Sequence, residues 1–377
     1  MTKIRVLHPS SAWGGAHVQT CINILKGMVL AGADVHLHLI RTRVDMGDVP
    51  YSAVLPKPVN RFGMPRFERR FAHLCEKRFL SALKPDEVTW LWPGVSVETF
   101  ETVKARGNKI IMEGINTRQA YAKGILDDVY ETAGLPQRHG ITDEKIAEEE
   151  HLLSMATHFF SPSPGVDAAL AAPGSQFTGE VMKSSYGTWT TSLDVKAEKP
   201  ATEKVRVVFV GTVGIRKNAH SLLQAWKLLA PENAELVLYG YVEDEIESLC
   251  RDILMLDSVK VMGWTHDVLC ALSSCDVFAF PSFEEGDPQV TYEAAVCGLP
   301  ILASPMGGGR LAERTDAVTL LDPHDAEHIA STLKEFIDNP DKRLLFGKKA
   351  REAAAGFDWS AIGQERLQLL ETALDEG

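Results

Sequence analysis

The sequence predicts an α/β protein made of two Rossmann-like domains that face each other across a cleft. Short apolar strand patterns alternate with helical patterns along most of its 377 residues, which is typical of parallel α/β sheets. The alternation stops in a polar segment at 186–204 and then starts again, as expected for a linker. Residues 1–200 carry a net charge of +1 and residues 201–377 one of −13, consistent with two separate units.

In the first half, the first predicted strand leads through Gly14-Gly15 into a helix from about His17 to Ala31. The helical region Arg118–Met155 is interrupted near Gly134–Gly140. The predicted strands are Ile4–Leu7, Val35–Ile40, Glu87–Trp92, Lys109–Met112 and His158–Ser161.

The second half repeats the order, and we predict domains at 1–190 and 191–355 with a separate C-terminal helix within 356–377. The predicted strands are Val205–Val210, Glu235–Tyr239, Val259–Met262, Val277–Phe280 and Ile301–Ala303. The predicted helices are Ala219–Leu229, Glu243–Leu254, Asp267–Ser273, Thr291–Cys297 and Ala361–Leu374. Ligands of such sheets bind beyond the carboxyl ends of the strands, so the loops there are the candidate sites.

Composition excludes several classes of protein. No apolar run approaches the roughly 18 residues of a membrane span, and no signal-peptide pattern opens the chain. The six cysteines form no Cys-x-x-Cys pair, so we expect reduced, buried thiols in a cytoplasmic protein. The acidic second half argues against a nucleic-acid partner.

The loop Gly211-Thr-Val-Gly-Ile-Arg-Lys-Asn218 follows a predicted strand and precedes a helix. Its glycines permit tight turns, and the helix N-terminus favours a phosphate, which Arg216 and Lys217 could pair with. The loop is neither Gly-x-Gly-x-x-Gly nor a P-loop. Taken alone, it fits a phosphate site and an ordinary glycine turn equally well.

The segment Pro281–Pro300 carries two carboxylates, Glu285 and Glu293, with seven residues between them. We expect Glu285 in the cleft and Glu293 in the first turn of a helix. Gly286 would allow a ligand to approach the backbone, and the N–H groups of Gln289–Thr291 would point into the same space. Together these features indicate an anion-binding helix end with two carboxylates beside it.

These motifs resemble the family 4 glycosyltransferases of the GT-B fold. The resemblance rests on the Arg216-Lys217 loop, Pro-Ser-x-x-Glu-Gly, and Glu-Ala-x-x-x-Gly-x-Pro, and continues through Met306–Gly309 and Phe357-Asp-Trp359. It implies an acceptor-binding first domain, a donor-binding second domain and a C-terminal helix that crosses back to the first. The implied activity is retaining transfer, of the hexosyltransferase type, from a nucleotide diphosphate sugar based on UDP or GDP to a carbohydrate or lipid-linked acceptor. Its implied setting is cell-surface polysaccharide or glycolipid synthesis.

The resemblance also implies roles for individual residues. Lys217 and Arg216 would bind the donor diphosphate, Glu285 the sugar hydroxyls, and Glu293 the ribose. The backbone of Gln289, Val290 and Thr291 would lie at the phosphates, and Gly286 would let the backbone come close to the donor. Trp264 would lie at the base, and Gly15 where the first helix approaches the phosphate. Lys217 and Glu285 would be the catalytic pair.

No metal or cofactor is expected, because cations and helix ends can stabilise the departing diphosphate and no Asp-x-Asp ends an apolar strand. The sequence departs from the family pattern at Thr212, where Arg is common, and lacks a His after the fourth strand. Glu113, Asn116 and Arg118 occupy that stretch and are candidate acceptor ligands.

Two other functions remain open: a sugar-nucleotide epimerase of the same fold, and a non-catalytic sugar- or nucleotide-binding protein. The segment Lys57–Arg78 mixes seven basic residues with aromatic ones. It fits either a solvated helix that packs its Phe residues inward or a peripheral contact with the inner face of a membrane.

Overall fold

The computed structural model describes residues 2–12, 16–55, 68–190 and 204–375. The first domain has a seven-stranded parallel sheet in the order β3-β2-β1-β4-β5-β6-β7. Its strands are β1 (Lys3–Ala12), β2 (Asp34–Thr42), β3 (Tyr51–Ala53), β4 (Val88–Leu91), β5 (Ile110–Glu113), β6 (His158–Ser161) and β7 (Glu180–Lys183). Its helices are α1 (Ala16–Leu30), α2 (Glu68–Ala82), α3 (Val97–Ala105), α4 (Gln119–Thr132), α5 (Asp143–Leu153) and α6 (Pro164–Ala171).

The second domain has a six-stranded parallel sheet in the order β10-β9-β8-β11-β12-β13. Its strands are β8 (Val205–Val210), β9 (Ala234–Tyr239), β10 (Val259–Gly263), β11 (Val277–Phe280), β12 (Ile301–Ala303) and β13 (Val318–Leu320). Its helices are α7 (Ala219–Leu229), α8 (Asp244–Leu254), α9 (Val268–Ser273), α10 (Gln289–Val296), α11 (Pro305–Arg314), α12 (Ala326–Asp338) and α13 (Pro340–Ala354). The last helix, α14 (Trp359–Asp375), follows a short 3-10 turn.

Strand order places the candidate loops side by side. The chain leaves β8 for β9 and β10 on one side of the sheet, and then returns to place β11 on the other side of β8. The carboxyl ends of β8 and β11 are therefore neighbours at a topological switch point, where parallel α/β sheets bind ligands. The central strands are wholly apolar and buried, as in Val277–Phe280, because helices cover both faces of the sheet.

The two domains are joined by paired chain segments and by the last helix. Thr188 and Asp358 form a parallel bridge where the chain leaves and re-enters the first domain. Helix α14 lies against α1, and the two backbones touch where Gly27 meets Gly363. Arg366 of α14 is fully buried and donates to both oxygens of Glu113 at 3.1 and 2.9 Å. The last helix is thus fixed to the first domain by a buried ion pair.

The predicted fold class is confirmed, and the predicted strands lie where the sequence placed them, to within two residues at their ends, except that β1 continues five residues beyond Leu7 to Ala12. The sequence missed β3, β7 and β13, which are three or four residues long and only partly buried, so their alternation is too short to read. The predicted helix Thr291–Cys297 begins two residues earlier, at Gln289. Most of the predicted linker, 191–203, lies outside the described residues. Within the described residues, no helix is long and apolar enough to cross a membrane.

Candidate functional site

The loop after β8 holds Lys217 in one orientation. Gly211 has a φ of +140°, and a Cβ added there would lie 3.1 Å from Cδ of Lys217, so the lysine stem packs on the bare glycine. The Lys217 ammonium lies 4.9 Å from the centre of the Phe280 ring at the end of β11. Asn218 donates to the carbonyl of Pro281 at 3.1 Å and thereby ties the loop to the one after β11.

Glu285 forms the centre of a charge cluster that joins these two loops. Its carboxylate accepts hydrogen bonds from Lys217 and, at 3.2 Å, from the Ser282 hydroxyl, and Arg216 lies 3.6 Å away. Burial opposes ionisation of Glu285, but the two cations outweigh it and hold its pKa below the usual value. The predicted residues Arg216, Lys217 and Glu285 are therefore brought together, with Glu285 ionised and buried.

Glu284 was missed by the sequence interpretation, although it lies beside Glu285. One of its oxygens accepts from both the backbone N–H (3.1 Å) and the hydroxyl (2.7 Å) of Thr117 in the first domain. The other accepts from Arg216 at 3.0 Å. Glu284 is only 2% exposed, so this carboxylate forms a buried bridge between the first domain and the Arg216 loop. The sequence signal that could have indicated this role was the adjacent pair Glu284-Glu285 in a loop expected to face the cleft.

Gly286 takes a different role from the predicted one. A Cβ added at Gly286 would lie 1.8 Å from the carbonyl oxygen of Ile115 and 3.1 Å from Cα of Asn116. The backbone of Gly286 therefore approaches the backbone of the first domain closely, whereas the sequence predicted that it would approach a ligand. The structure is closed at this point of the cleft.

Helix α10 corrects two further expectations, one for Thr291 and one for Glu293. The N–H of Thr291 donates to Pro288 at 3.0 Å, and its hydroxyl donates to Gly307, so Thr291 has no free donor for a phosphate. Gln289 and Val290 are the first residues of the helix, and the Gln289 side chain donates to Thr20 of α1 across the cleft. Glu293 is in the second turn, because the helix starts earlier than predicted.

Glu293 is the most perturbed carboxyl of the predicted donor residues. Burial raises its pKa from 4.5 to about 7, and no hydrogen bond or ion pair to its carboxylate is found among the described residues. A half-buried carboxylate without a partner is costly, and hydroxyl groups of a ligand would relieve that cost. The environment of Glu293 is thus suited to a neutral, hydroxyl-bearing ligand.

Asp287 lies in the loop after β11 that also carries Glu284 and Glu285, and it binds that loop to the junction between the domains. Its carboxylate accepts from the N–H of Tyr186 at 2.8 Å, from the Tyr292 hydroxyl at 2.7 Å and from the N–H of Arg310 at 3.2 Å. Burial raises the Asp287 pKa to about 6. Arg310 itself reaches into the first domain and pairs with Asp167 at 3.0 Å.

The remaining predicted donor residues are less enclosed. Trp264 follows β10, is 67% exposed and stands edge-on to the His266 ring at 3.8 Å. It lies at the carboxyl edge of the second sheet, but two strands away from β8. Gly15 lies outside the described residues.

The predicted acceptor residues line a cavity of about 970 Å³ between the first domain and the loops of Arg216, Glu243 and Glu284. The Glu113 carboxylate is committed to Arg366, and the Arg118 guanidinium donates to Glu150 and to the carbonyl of Ala169 at 3.0 Å. Both charged groups therefore stabilise the first domain and its contact with the last helix. The sequence had predicted that they would bind the acceptor. Asn116 lines the cavity, as does His17 at the start of α1, which the sequence interpretation did not single out.

Two other expectations concern metals and thiols. The described residues contain no group of three or more His, Cys, Asp or Glu side chains that could hold a metal ion. Cys21, Cys75, Cys250 and Cys275 are buried, but Cys270 is exposed and Cys297 is only partly buried, unlike the buried thiols that were predicted.

The basic segment Lys57–Arg78 is described from residue 68 onward. In α2, Arg69 and Arg70 are exposed, while Phe71 is partly buried against the core. Arg78 donates to the carbonyl of Val54 at 3.3 Å. Residues 57–67, including Arg66, lie outside the described residues.

Comparison with known proteins agrees with this geometry. Residues 192–353, which hold both loops and α10, match the family described as glycosyl transferases group 1. An uncharacterised glycosyltransferase of Haemophilus influenzae is 30% identical over 169 residues, covering 43% of this chain and 48% of that protein. A GDP-mannose-dependent monoacylated α-(1-6)-phosphatidylinositol monomannoside mannosyltransferase of Corynebacterium glutamicum is 25% identical over 233 residues, covering 52% of this chain and 61% of that protein. The match thus spans about half of each of these curated relatives.

A solved structure resembles the whole chain. Sucrose-phosphate synthase of Thermosynechococcus elongatus superimposes with a TM-score of 0.71 at 19% identity, covering 100% of both chains. At that identity the likeness establishes the fold. The chain therefore has the GT-B fold, and its residues 192–353 match the family described as glycosyl transferases group 1.

Proposed function

We propose that the protein transfers a sugar from a nucleotide diphosphate sugar to a carbohydrate or lipid-linked acceptor, with retention of anomeric configuration. The observation that carries the proposal is the Lys217–Glu285 pair between the β8 and β11 loops, next to the N-terminus of α10. A cation, an ionised carboxylate and a helix end around one point suit a diphosphate joined to a sugar. The relatives named above do not favour an epimerase or a binding protein.

In this proposal each group of the site has one task. Lys217 and Arg216 pair with the diphosphate, and Arg216 exchanges part of its contact with Glu284 and Glu285 for phosphate oxygens. Glu285 accepts hydrogen bonds from sugar hydroxyls and stabilises positive charge at the anomeric carbon. Glu293 accepts from the ribose hydroxyls. Trp264 offers an exposed ring to the base of UDP or GDP.

The proposed reaction breaks the bond between the anomeric carbon and the diphosphate oxygen. The acceptor oxygen forms the new bond on the same face of the sugar, and its proton passes to the departing diphosphate. Lys217, Arg216 and the α10 N-terminus supply the charge that the leaving group needs, so we propose that neither a metal nor a cofactor is required. Closure of the Glu284 bridge excludes water that would otherwise hydrolyse the donor.

The test is release of nucleoside diphosphate with and without acceptor, after a thermal-shift panel of UDP, GDP, ADP and their sugars has identified the donor. Glu285→Gln keeps the size of the side chain and removes its charge, so kcat should fall about 100-fold, in the range seen when one transition-state contact is lost. Glu371→Gln, an exposed carboxylate on α14, is the matched control. Unchanged transfer by Glu285→Gln would remove Glu285 from the reaction, and diphosphate release independent of any acceptor would contradict transfer itself.

A peripheral contact with the inner face of the membrane through Lys57–Arg78 is a separate proposal. It is supported by the exposed Arg69 and Arg70 on α2. The double variant Arg69→Glu/Arg70→Glu should lose co-sedimentation with anionic vesicles at low salt, while Lys334→Glu/Lys348→Glu on the second domain should not. Equal sedimentation of the two double variants would rule out this surface.

A further inference from the structure

The cavity of about 970 Å³ has an apolar interior. Hydrocarbon side chains from the sheet and from four helices meet there, and six of them are at most 6% exposed. These six are Phe100 of α3, Ala122 and Leu126 of α4, Leu153 of α5, Phe159 of β6 and Val166 of α6. A cavity of this volume is at the upper end of the range of small-molecule sites.

The buried charged groups on its wall are already paired. Glu113 is bound to Arg366, Arg118 to Glu150, and Glu284 to Thr117 and Arg216. Asn116 and Gln119 retain exposure and lie near the loop that contacts Glu284, and hence near the donor loops. Other polar residues that retain exposure, among them Lys145, Glu148 and Glu149, line the cavity along α5. The cavity therefore has polar rims at the cleft (its mouth) and along α5, and buried hydrocarbon side chains between them.

An acceptor that consists only of sugar fits poorly in such a space. Sugar hydroxyls placed against the interior side chains would lose their hydrogen bonds to water and gain none. An apolar group there would be favoured, since its transfer from water is favourable in proportion to its area. The hydroxyl that reacts would then remain at the mouth, beside the donor.

We propose that the acceptor is a glycoside with an apolar aglycone, and that the aglycone occupies the interior of this cavity while the sugar lies at the mouth. This inference rests on the proposed function and specifies its acceptor. The aglycone can belong to a soluble glycoside or to a lipid drawn from a membrane, because the cavity recognises only its hydrocarbon.

The test is a binding experiment without donor on the full chain. The neutral apolar fluorophore N-phenyl-1-naphthylamine should bind with a stoichiometry of one and gain fluorescence. Hexyl β-glucoside should displace it at a concentration at least tenfold lower than methyl β-glucoside, because five more methylene groups enter the cavity. Vesicles that contain a long-chain alkyl glucoside distinguish the two sources, since they compete only if the tail can leave a membrane.

Two variants test whether the probe binds in this cavity. Ala122→Phe and Leu126→Trp fill the interior and should each weaken probe binding at least tenfold, with Leu228→Trp on the exposed face of α7 as the matched control. Equal displacement by hexyl and methyl glucoside would overturn the proposal, and that comparison needs only the native protein. So would probe binding that neither filled variant alters, provided that thermal unfolding shows both to be folded. Nucleoside diphosphate binding is measured separately, so failure of the donor site and failure of this inference give different results.

Discussion

Thr117→Val tests the bridge through which Glu284 joins the two domains. The substitution removes the hydroxyl that donates to the Glu284 carboxylate at 2.7 Å and keeps the backbone N–H that donates at 3.1 Å. Thr117→Ser retains the hydroxyl and is the matched control. Since Thr117 and Glu284 are 3% and 2% exposed, water cannot easily replace the lost donor.

The magnitude of the effect follows from the negative charge of Glu284, which accepts the hydrogen bond. A hydrogen bond to an ionised group contributes about 1.5–3 kcal/mol, so the closed form should lose roughly that much relative to an open form. This corresponds to about a 10- to 100-fold lower kcat/KM for the acceptor, if transfer requires closure. Donor affinity should change less than about threefold, because Thr117 belongs to the first domain and Arg216 keeps its contact with Glu284.

The assay is steady-state transfer with separate titrations of acceptor and donor, together with donor hydrolysis in the absence of acceptor. Thr117→Val should lower kcat/KM for the acceptor and raise the ratio of hydrolysis to transfer. Thr117→Ser should remain within about threefold of the native protein. If the Val and Ser variants behave alike in both measurements, the bridge does not control closure and the reasoning is refuted.

Three further predictions concern single residues. Between pH 5 and pH 8 the native protein should lose up to about 3 kcal/mol of unfolding free energy that Glu293→Gln does not lose, because burial raises the Glu293 pKa to about 7 and the protonated form that favours folding disappears as pH rises through 7. Urea titrations at the two pH values measure this difference, and equal pH profiles of the two proteins would contradict it. Arg366→Met should cost about 3–5 kcal/mol of unfolding free energy because Glu113 is left as an unpaired buried charge. The double variant Arg366→Met/Glu113→Gln should recover much of that loss in the same titration, and no recovery would argue against the pairing. Gly286→Ala places a methyl group 1.8 Å from the Ile115 carbonyl and should lower kcat/KM for the acceptor at least tenfold; a normal value would mean that the closed contact is dispensable.

The sequence was sufficient to predict the fold and the meeting of Lys217 with Glu285, because both depend on short local patterns. The apolar runs of β8 and β11, and the glycine loop with Lys217, lie within short stretches whose periodicity and residue types are visible directly. Glu285 and Lys217 meet because their strands are neighbours, which the βα order already implied.

The parts that the sequence did not predict depend on contacts between distant segments. Glu113 looked like an acceptor ligand because its partner, Arg366, is 253 residues away on the last helix. Gly286 looked like a ligand contact because nothing near it in sequence indicates the Ile115 backbone. Glu284 was passed over in favour of Glu285, since only the tertiary structure separates a bridging carboxylate from one beside Lys217.

The most direct test of the proposed donor site is calorimetric titration of UDP and GDP into the native protein, Lys217→Ala and Lys227→Ala. Lys227 lies on the same domain and pairs with Asp252 at the surface, so it controls for loss of a charge alone. One nucleotide should bind the native protein and Lys227→Ala equally, and Lys217→Ala should bind it at least tenfold more weakly because a charge-assisted phosphate contact is lost. Equal binding of that nucleotide by Lys217→Ala, or no binding of either nucleotide by the native protein, would contradict the assignment of this loop as the diphosphate site.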